Sequence, residues 1–512
     1  MMKRLIILLM VACWSCGSLL QAQSKRMRNL TPDFEIEGVL KQPYQYFKKG
    51  TPVILQRLVD LQANGQTSRQ GVISIEGKQY SILMDVMRST LELKPTDANS
   101  FWMAYQLQGG LIEYYEKHGL QPEMRKELEE DARSYLDELQ KNQLLYEDVA
   151  LEDYIHCLML DMMPHQFLAK RYGTPYVRIL KSPNPDLLML GNGCLLISTG
   201  MLTLLDSEEE LYALMSREIA HFVLDHAVIT VNKNTARARR YEFWSSVAEA
   251  AALCTEVYLS EKHENYIPGI VYTTAGIVDV LIGENIMKRM GLDYQPDQEE
   301  DADRIATLYL QSRHRDPSLL TAALQKVEQY YLNTQDNSVF HRYAIHGSLG
   351  KRLKKLQQKH PATGHPEDRI YLKQTATVVS FSAGMMAYNG DYTQATTLAQ
   401  KNVQTHLASA DDYVILAQCL MKQENTPETL ATCQTLLEKA DQLNGSPSIN
   451  ATRQRVLLLL RQQKQEEAME QLKLYVQLTE KLLSRPQTEA DQQWLNNENQ
   501  WAQQLIGRLE AI

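Results

Sequence analysis

The stretch LMSREIAHFVLDH, residues 214–226, decides how the middle of this chain is interpreted. Glu218 and His221 lie three positions apart within it, a spacing that places both on one face of a helix. The start of that helix is also marked, because Ser207 followed three residues later by Glu210 forms a capping box. We therefore predict a helix that begins after Ser207 and presents a carboxylate and an imidazole together.

A helical zinc hydrolase site uses the pattern His-Glu-x-x-His, in which both imidazoles bind the metal and the Glu activates the bound water. In this chain Arg217 stands where the first His of that pattern would lie. A third ligand comes from elsewhere, and Glu299 and Asp303 have the spacing of a carboxylate ligand and an acid that orients a ligand. The sequence thus holds the parts of a zinc site with one part replaced.

At these residues the chain resembles the gluzincin zinc metallopeptidases of peptidase family M48, which include the type 1 CAAX prenyl proteases, HtpX and the periplasmic protein BepA. The run NGCLLISTGMLTLLDSEEELYALMSREIAHFVLDH, 192–226, is similar to that family's strand, turn and active-site helix. The segment EEDADRI resembles its Glu-x-x-x-Asp segment. HGSLGKRL, 346–353, resembles its His-Pro-x-x-x-x-Arg-Ile element, with Gly347 where Pro is usual. The resemblance covers roughly residues 144–358.

The resemblance implies a role for each residue that matches a family motif. These are Glu218 as the general base if the protein is active, His221 and Glu299 as zinc ligands, Asp303 as the acid behind the ligands, and His346 and Arg352 as the downstream element. Arg217 is the departure from the family pattern. The resemblance also implies zinc as the cofactor and polypeptides as substrates.

Arg217 cannot act as a zinc ligand, because its guanidinium is always protonated and has no lone pair to offer. A unit charge about 4 Å from a divalent ion costs roughly 8 kcal/mol at an effective dielectric constant of 20. We therefore expect zinc to be absent or weakly bound. We expect Arg217 instead to pair with Glu299 and Asp303, which would otherwise be buried acids without a partner.

An altered ligand set is the alternative. Asp225 lies four residues after His221, so a helix would place it on the same face and allow a site of His221, Asp225 and Glu299. His226 lies five residues on, about 140° around the helix, and is therefore not predicted as a ligand.

The fold class predicted is mainly α with a small β-sheet, as a zincin-like metallopeptidase domain followed by a tetratricopeptide-like α-solenoid. The runs YVRIL and CLLIST predict the small sheet, and Gly77-Lys78 predicts a hairpin turn further upstream. Ala395, Ala431 and Ala468 are 36 and 37 residues apart, near the period of helical repeats. The domains predicted are 1–22 signal peptide, 23–143 N-terminal region of unknown role, 144–358 metallopeptidase-like domain, and 370–512 helical repeats with a closing helix.

Composition and the N-terminus suggest where the protein acts. A formal net charge of −9 gives no basic field for phosphates, so no nucleic-acid partner is expected. Lys3 and Arg4, an apolar run and a small-residue approach to Ala22 predict an export signal, and hence a periplasmic or secreted protein. The alternative is an outer-membrane lipoprotein, membrane-bound only through a lipid on Cys13. The run at 267–283 is too short for a membrane span and predicts a core helix.

Five cysteines follow the predicted signal and are too widely spaced for a disulfide framework. Cys157, Cys194, Cys254, Cys419 and Cys433 are therefore predicted to be buried, small apolar residues.

Three functions remain open. The first, favoured by Arg217, is an exported pseudopeptidase scaffold that binds polypeptide clients through its groove and helical repeats, in envelope protein quality control or assembly. The second is an active zinc metalloendopeptidase with an altered ligand set that cleaves unfolded envelope proteins. The third is a repeat-array interaction protein with an inert front domain.

Overall fold

The computed structural model describes residues 26–31, 33–63, 66–108, 110, 122–165, 173–231, 290–333, 349–364, 368–485 and 489–511. The predicted signal peptide with Cys13 and Ala22, the predicted core helix at 267–283, Cys254 and His346 lie outside these residues. The chain forms two compact units, one of residues 1–118 and 163–171, the other of residues 119–162 and 172–512.

The first unit is built on a six-stranded antiparallel sheet. Its strands are β1 (Arg26–Asn29), β2 (Ile36–Leu40), β3 (Pro52–Ala63), β4 (Gln66–Ile75), β5 (Lys78–Leu83) and β6 (Leu91–Leu93), with α1 (Met84–Thr90) between the last two and α2 (Ala98–Gln108) after them. The strand order is β5-β4-β3-β2-β6, and β1 also pairs with β3. One face of the sheet is apolar and packs under α2 through Met103 and Leu107.

The predicted hairpin turn is present, one residue earlier than expected. Ile75 pairs with Lys78, so the two turn residues are Glu76 and Gly77, and both have positive φ, at 50° and 75°. Two positive φ angles match the right-handed twist of the flanking strands, which is why Gly is favoured here.

The second unit begins with α3 (Pro122–Lys141) and α4 (Val149–Met162), followed by a three-stranded sheet of β7 (Tyr176–Leu180), β8 (Leu187–Met189) and β9 (Cys194–Ser198). The order is β7-β9-β8, with β7 and β9 parallel. This confirms the small sheet predicted from YVRIL and CLLIST. Leu136 and Leu139 of α3 share a buried cluster with Leu180 and Leu196 of the strands.

Two helices follow the sheet directly, α5 (Thr199–Leu204) and α6 (Glu208–Val223). The predicted start of α6 is confirmed, since the Ser207 hydroxyl accepts a bond from the Glu210 backbone N–H. The Glu210 carboxylate bonds instead to the backbone N–H of Asp206 at 2.9 Å, one residue before the expected partner.

The end of α6 differs from the prediction. The helix stops at Val223, and Asp225 adopts a left-handed conformation with φ 54° before α7 (His226–Thr230) begins. Asp225 and His226 therefore do not continue the helical spacing from His221, and the positions inferred from that spacing are wrong.

Three further helices complete the surroundings of α6: α8 (Pro296–Ser312), α9 (Ser318–Asn333) and α10 (Leu349–Lys359). Pro296 occupies the first turn of α8, where its missing N–H costs nothing. Both α8 and α9 pack against α6, and α10 packs against α9. Acids of α8 and the buried side of α10 are thereby brought towards α6.

The C-terminal helices are α11 (Arg369–Tyr388), α12 (Tyr392–Gln404), α13 (Ala410–Gln423), α14 (Pro427–Asn444), α15 (Ile449–Arg461), α16 (Gln465–Leu483) and α17 (Glu489–Glu510). Each packs against the next, and α11, α13 and α15 also contact one another in succession. We call these seven helices the C-terminal array. Its membership of the tetratricopeptide class stays a prediction.

One repeat position was assigned wrongly. Equivalent positions should be buried alike, but Ala395 and Ala468 are fully buried whereas Ala431 is exposed. Ala395 and Ala468 are each the fourth residue of their helix, and the fourth residue of α14 is Leu430, which is buried. The position in α14 that corresponds to Ala395 and Ala468 is therefore Leu430, one residue before Ala431.

The array is joined to the start of α6 by several hydrogen bonds. Asp368 caps α11 by accepting from the N–H groups of Ile370 and Tyr371, and it also accepts from the N–H of Glu208 at 3.3 Å. Lys401 of α12 bonds the Asp206 carboxylate at 2.7 Å. The array and α6 are therefore fixed to each other.

Cysteine burial follows the prediction at three positions. Cys194, Cys419 and Cys433 are buried, whereas Cys157 is exposed on α4, so the prediction for Cys157 is wrong. Among the helices in the described part of the chain, none combines the length and apolar character that crossing a bilayer requires.

Candidate functional site

The centre of the second unit is a group of buried charged side chains contributed by three helices. From α6 come Arg217 and Glu218, from α8 come Glu299 and Asp303, and from α10 comes Arg352. Each is between 3% and 7% exposed. We call Glu218, Glu299 and Asp303 the acid cluster, and Arg217 and Arg352 the guanidinium pair.

Arg217 bonds to every member of the acid cluster. Its Nη1 donates to Glu218 Oε1 at 2.7 Å, its Nε donates to Asp303 Oδ1 at 2.9 Å, and its Nη2 donates to Glu299 Oε2. The predicted pairing of Arg217 with Glu299 and Asp303 is thus found, and Glu218 joins it. The fork of the guanidinium lies between α6 and α8 and neutralises acids from both.

Arg352 reaches the same acids from α10. Its Nε and Nη2 donate to the two oxygens of Asp303 at 2.7 and 3.0 Å, a bidentate pair, and its Nη1 donates to Glu299 Oε2. One oxygen of Glu299 therefore accepts from both arginines. The resemblance placed Arg352 in a downstream element without a contact, and the structure brings it into the site.

His221 lies on the same helix, fully buried. Its ring stacks on Tyr294 with 3.8 Å between ring centroids, and its Nδ1 lies 3.0 Å from Nδ1 of His226. Its Nε2 is buried and has no hydrogen-bond partner among the described residues. Because the chain turns at Asp225, His226 is beside His221 rather than on the far side of a helix.

The alternative ligand Asp225 is engaged elsewhere. Its carboxylate forms a buried ion pair with Arg125 of α3. Its left-handed backbone also carries it off the face of α6 that holds His221. The altered set of His221, Asp225 and Glu299 therefore does not come together.

Burial and charge set the protonation of these groups. Burial raises the pKa of the Asp303 carboxyl, but Arg352 and Arg217 outweigh that effect and hold the pKa below its usual value. Burial, followed by the charge of Arg217, holds the pKa of His221 well below its ordinary value. Burial also lowers the pKa of His226 to about 4. The site thus combines an ionised acid and two neutral imidazoles at pH 7.

The comparison with known families agrees with this geometry. Residues 150–371, from α4 to the start of α11, match the family model for peptidase family M48. This region of the chain belongs to peptidase family M48. No curated protein matches the chain.

Members of this family depend in general on zinc, and the M48 region contains part of the ligand set that a zinc site would need. His221 offers one ligand nitrogen without a partner. Against this, Glu299 Oε2 already accepts from two cations, and the residue before Glu218 is an arginine. No group of three or more His, Cys, Asp and Glu is arranged to hold a metal ion in the described part of the chain. The donor set that the described residues provide does not fit zinc.

Sequence reasoning missed Tyr294, and it named Arg352 without placing it beside the acids. Tyr294 lies just before α8 and belongs to no recognisable motif, so no signal in the sequence indicated that it would stack on His221. Arg352 did carry a signal. It lies among Leu349, Leu353 and Leu356, which form the buried side of α10, and a charge within an apolar face predicts a buried ion pair.

Proposed function

We propose that this protein is an exported, non-hydrolytic member of peptidase family M48, a pseudopeptidase that binds polypeptide clients in envelope protein quality control or assembly. The observation that carries the proposal is the set of three bonds from Arg217 to Glu218, Glu299 and Asp303. In the family these acids would serve as base, third ligand and orienting acid.

The chemistry of an M48 peptidase requires a general base and a metal ion, and Arg217 interferes with both. A carboxylate general base must accept a proton, and Oε1 of Glu218 already accepts a bond from Arg217 at 2.7 Å. The metal, which supplies a polarised water and a Lewis acid in such enzymes, needs ligands with lone pairs. Arg217 supplies none, so hydrolysis is not expected.

Client binding is assigned to the C-terminal array together with the groove beside α6. Stacked helix pairs of tetratricopeptide type present an extended surface suited to polypeptides. Lys401 and Asp368 fix that surface to the start of α6, so a client bound to the array would lie against the M48 region. Export through the predicted signal peptide would place both in the periplasm or outside the cell.

The test uses the purified mature chain. We expect less than stoichiometric zinc by elemental analysis and no cleavage of unfolded β-casein, with or without chelator, while the casein still binds. Stoichiometric zinc together with chelator-sensitive cleavage would contradict the proposal. Sequencing the mature N-terminus tests export: Gln23 is expected, and a lipid-modified Cys13 would indicate the lipoprotein.

The second candidate is an active zinc endopeptidase, and one observation favours it. Nε2 of His221, the nitrogen free to ligate, is buried without a described partner. If this candidate is correct, zinc must displace Arg217 from Glu299. The cleavage experiment above separates the two functions.

A further inference from the structure

Arg217 and Arg352 both bond to Glu299 and Asp303, and they reach these two acids from different helices, α6 and α10. We infer that Arg217 takes the structural place of the metal ion and, together with Arg352, forms a metal-independent cross-link of α6, α8 and α10. This rests on the proposed non-hydrolytic function, and it adds a residue, Arg352, and a structural consequence to it.

The first argument is connectivity. A metal ion in a site of this kind would join α6 to α8, because its ligands would come from both helices. Here the bonds from Arg217 to Glu299 and Asp303 make that connection. Arg352 extends it to α10 through Asp303 and Glu299. The three helices are distant in sequence, so the cross-link fixes their packing.

The second argument is charge. The acid cluster carries three negative charges, and burial makes each costly unless a cation lies beside it. With a neutral His at position 217, Arg352 and a divalent ion would supply three positive charges. Among the residues that the structure describes, Arg217 and Arg352 supply two. Arg217 therefore replaces only one of the two charges of the ion, and the charge of Arg352 is needed as well.

A third argument comes from what a metal would do to the present arrangement. Adding a divalent ion to the guanidinium pair would put four positive charges beside three negative ones, in a space where Glu299 Oε2 already accepts twice. The cluster would move from one surplus negative charge to one surplus positive charge. Metal binding should therefore loosen the cross-link instead of strengthening it.

The experiment measures the melting temperature of the full mature chain, each time with chelator and with equimolar zinc. For the wild type we expect the same melting temperature in both. Arg352→Met should lower it by several degrees, and zinc should not restore it. Arg217→His should lower it in chelator and recover most of the loss in zinc, because a neutral ligand then stands beside His221 and Glu299.

A matched control is Arg178→Met, which removes another Arg–Glu pair of the same unit, the pair with Glu152. That pair is partly exposed, so only a small change in melting temperature is expected, and no response to zinc. If Arg352→Met yields no folded protein, Arg352→Lys keeps the charge without the fork. It should fold with a melting temperature lower than that of Arg178→Lys.

Two results would overturn the cross-link. One is a wild-type melting temperature that falls in chelator. The other is Arg352→Met, or Arg352→Lys, melting no lower than its Arg178 counterpart while the wild type remains metal-free and inactive. In that second case the cross-link fails and the proposed function stands. Zinc-dependent cleavage by the wild type would remove the proposed function instead.

Discussion

The acid cluster and the C-terminal array each bury arginine and carboxylate side chains, but in different proportions. In the array, Arg453 donates to Glu498 at 2.7 Å, and Tyr475 donates to the same carboxylate at 2.7 Å. Among the described residues, one cation therefore serves one acid here, and a hydroxyl also donates to that acid. In the described part of the M48 region, two arginines serve three acids, and these five side chains come from three helices.

The difference teaches what helix packing requires and what it does not. A balanced pair such as Arg453 and Glu498 is sufficient to join neighbouring helices. A surplus of buried acids is costly, and packing alone gives no reason for it. A composition retained from a zinc site, as proposed above, would account for the surplus, and the guanidinium pair offsets most of its charge.

The largest expected effect comes from comparing two double variants. Each variant removes one arginine and neutralises one acid, one in the array and the other in the acid cluster. Arg453→Met with Glu498→Gln leaves no charge behind and keeps an acceptor for Tyr475, so the free energy of unfolding should change by less than about 1 kcal/mol. Arg352→Met with Asp303→Asn leaves Arg217 facing two acids.

For that second double variant we expect a loss of about 3–5 kcal/mol, because the surplus acid remains while the three bonds of Arg352 to Glu299 and Asp303 are lost, and a hydrogen bond to a charged group contributes about 1.5–3 kcal/mol. Urea denaturation followed by circular dichroism measures both variants. Equal losses in the two regions would show that the surplus acid carries no energetic weight, and the comparison would then break down.

The second effect concerns pH. Burial lowers the pKa of His226 to about 4, against the opposing influence of Asp301, Asp225 and Asp297. The unfolded chain, with an ordinary pKa near 6.5, therefore binds more protons between pH 6.5 and 4. Stability should fall by roughly 3 kcal/mol as the pH drops through this range, and then level out.

His226→Gln should remove this share of the pH dependence, measured as the free energy of unfolding in urea at intervals from pH 7 to pH 4. Part of the slope should remain, because the pKa of His221 is also held low by burial. An unchanged slope in the variant would show that His226 is not buried as a neutral ring.

The third effect compares two glycines. A Cβ on Gly200 would lie 2.1 Å from the backbone oxygen of Pro183, whereas a Cβ on Gly445 would meet nothing within 4 Å. Gly445 closes α14 with φ 70°, so Gly445→Ala should cost only the left-handed strain, about 1 kcal/mol.

Gly200→Ala should cost about 2 kcal/mol more, because the strand–helix connection ahead of α6 must shift. Thermal denaturation of the two variants side by side measures this difference. Similar melting temperatures would mean that the connection around Gly200 adjusts freely.

The smallest effect tests the junction between the array and the M48 region. Lys401→Met removes bonds to the backbone oxygens of Thr203 and Leu205 and to Asp206, with an expected loss of about 1 kcal/mol. Lys464→Met breaks an exposed pair with Glu467 inside the array and should be neutral within error in the same urea assay. A neutral Lys401→Met would indicate that the junction depends on other contacts.

Local rules predicted the parts of the site that lie on regular helices. Ser207 and Glu210 marked the start of α6, and the helical spacing of Glu299 and Asp303 placed both acids towards Arg217. These predictions succeed because capping and helical periodicity involve residues only a few positions apart.

The parts of the site that could not be predicted depend on where a helix ends and on which helices, distant in sequence, pack beside it. α6 ends at Val223, and Asp225 then adopts a left-handed conformation. The carboxylate of Asp225 pairs with Arg125, a hundred residues away. Arg352 reaches the acid cluster only because α10 packs against α9, which packs against α6. Spacing along the chain carries no information about such contacts.

The double role of Asp368 has a consequence for protein engineering. One carboxylate closes the open amide ends of two helices, one in each neighbouring part of the second unit. If the C-terminal helices were replaced from Asp368 onward by those of another protein, the backbone N–H of Glu208 would lose its acceptor. The M48 region should therefore be transferred together with α11 and α12, and the junction with the other protein should lie in the connection between α12 and α13.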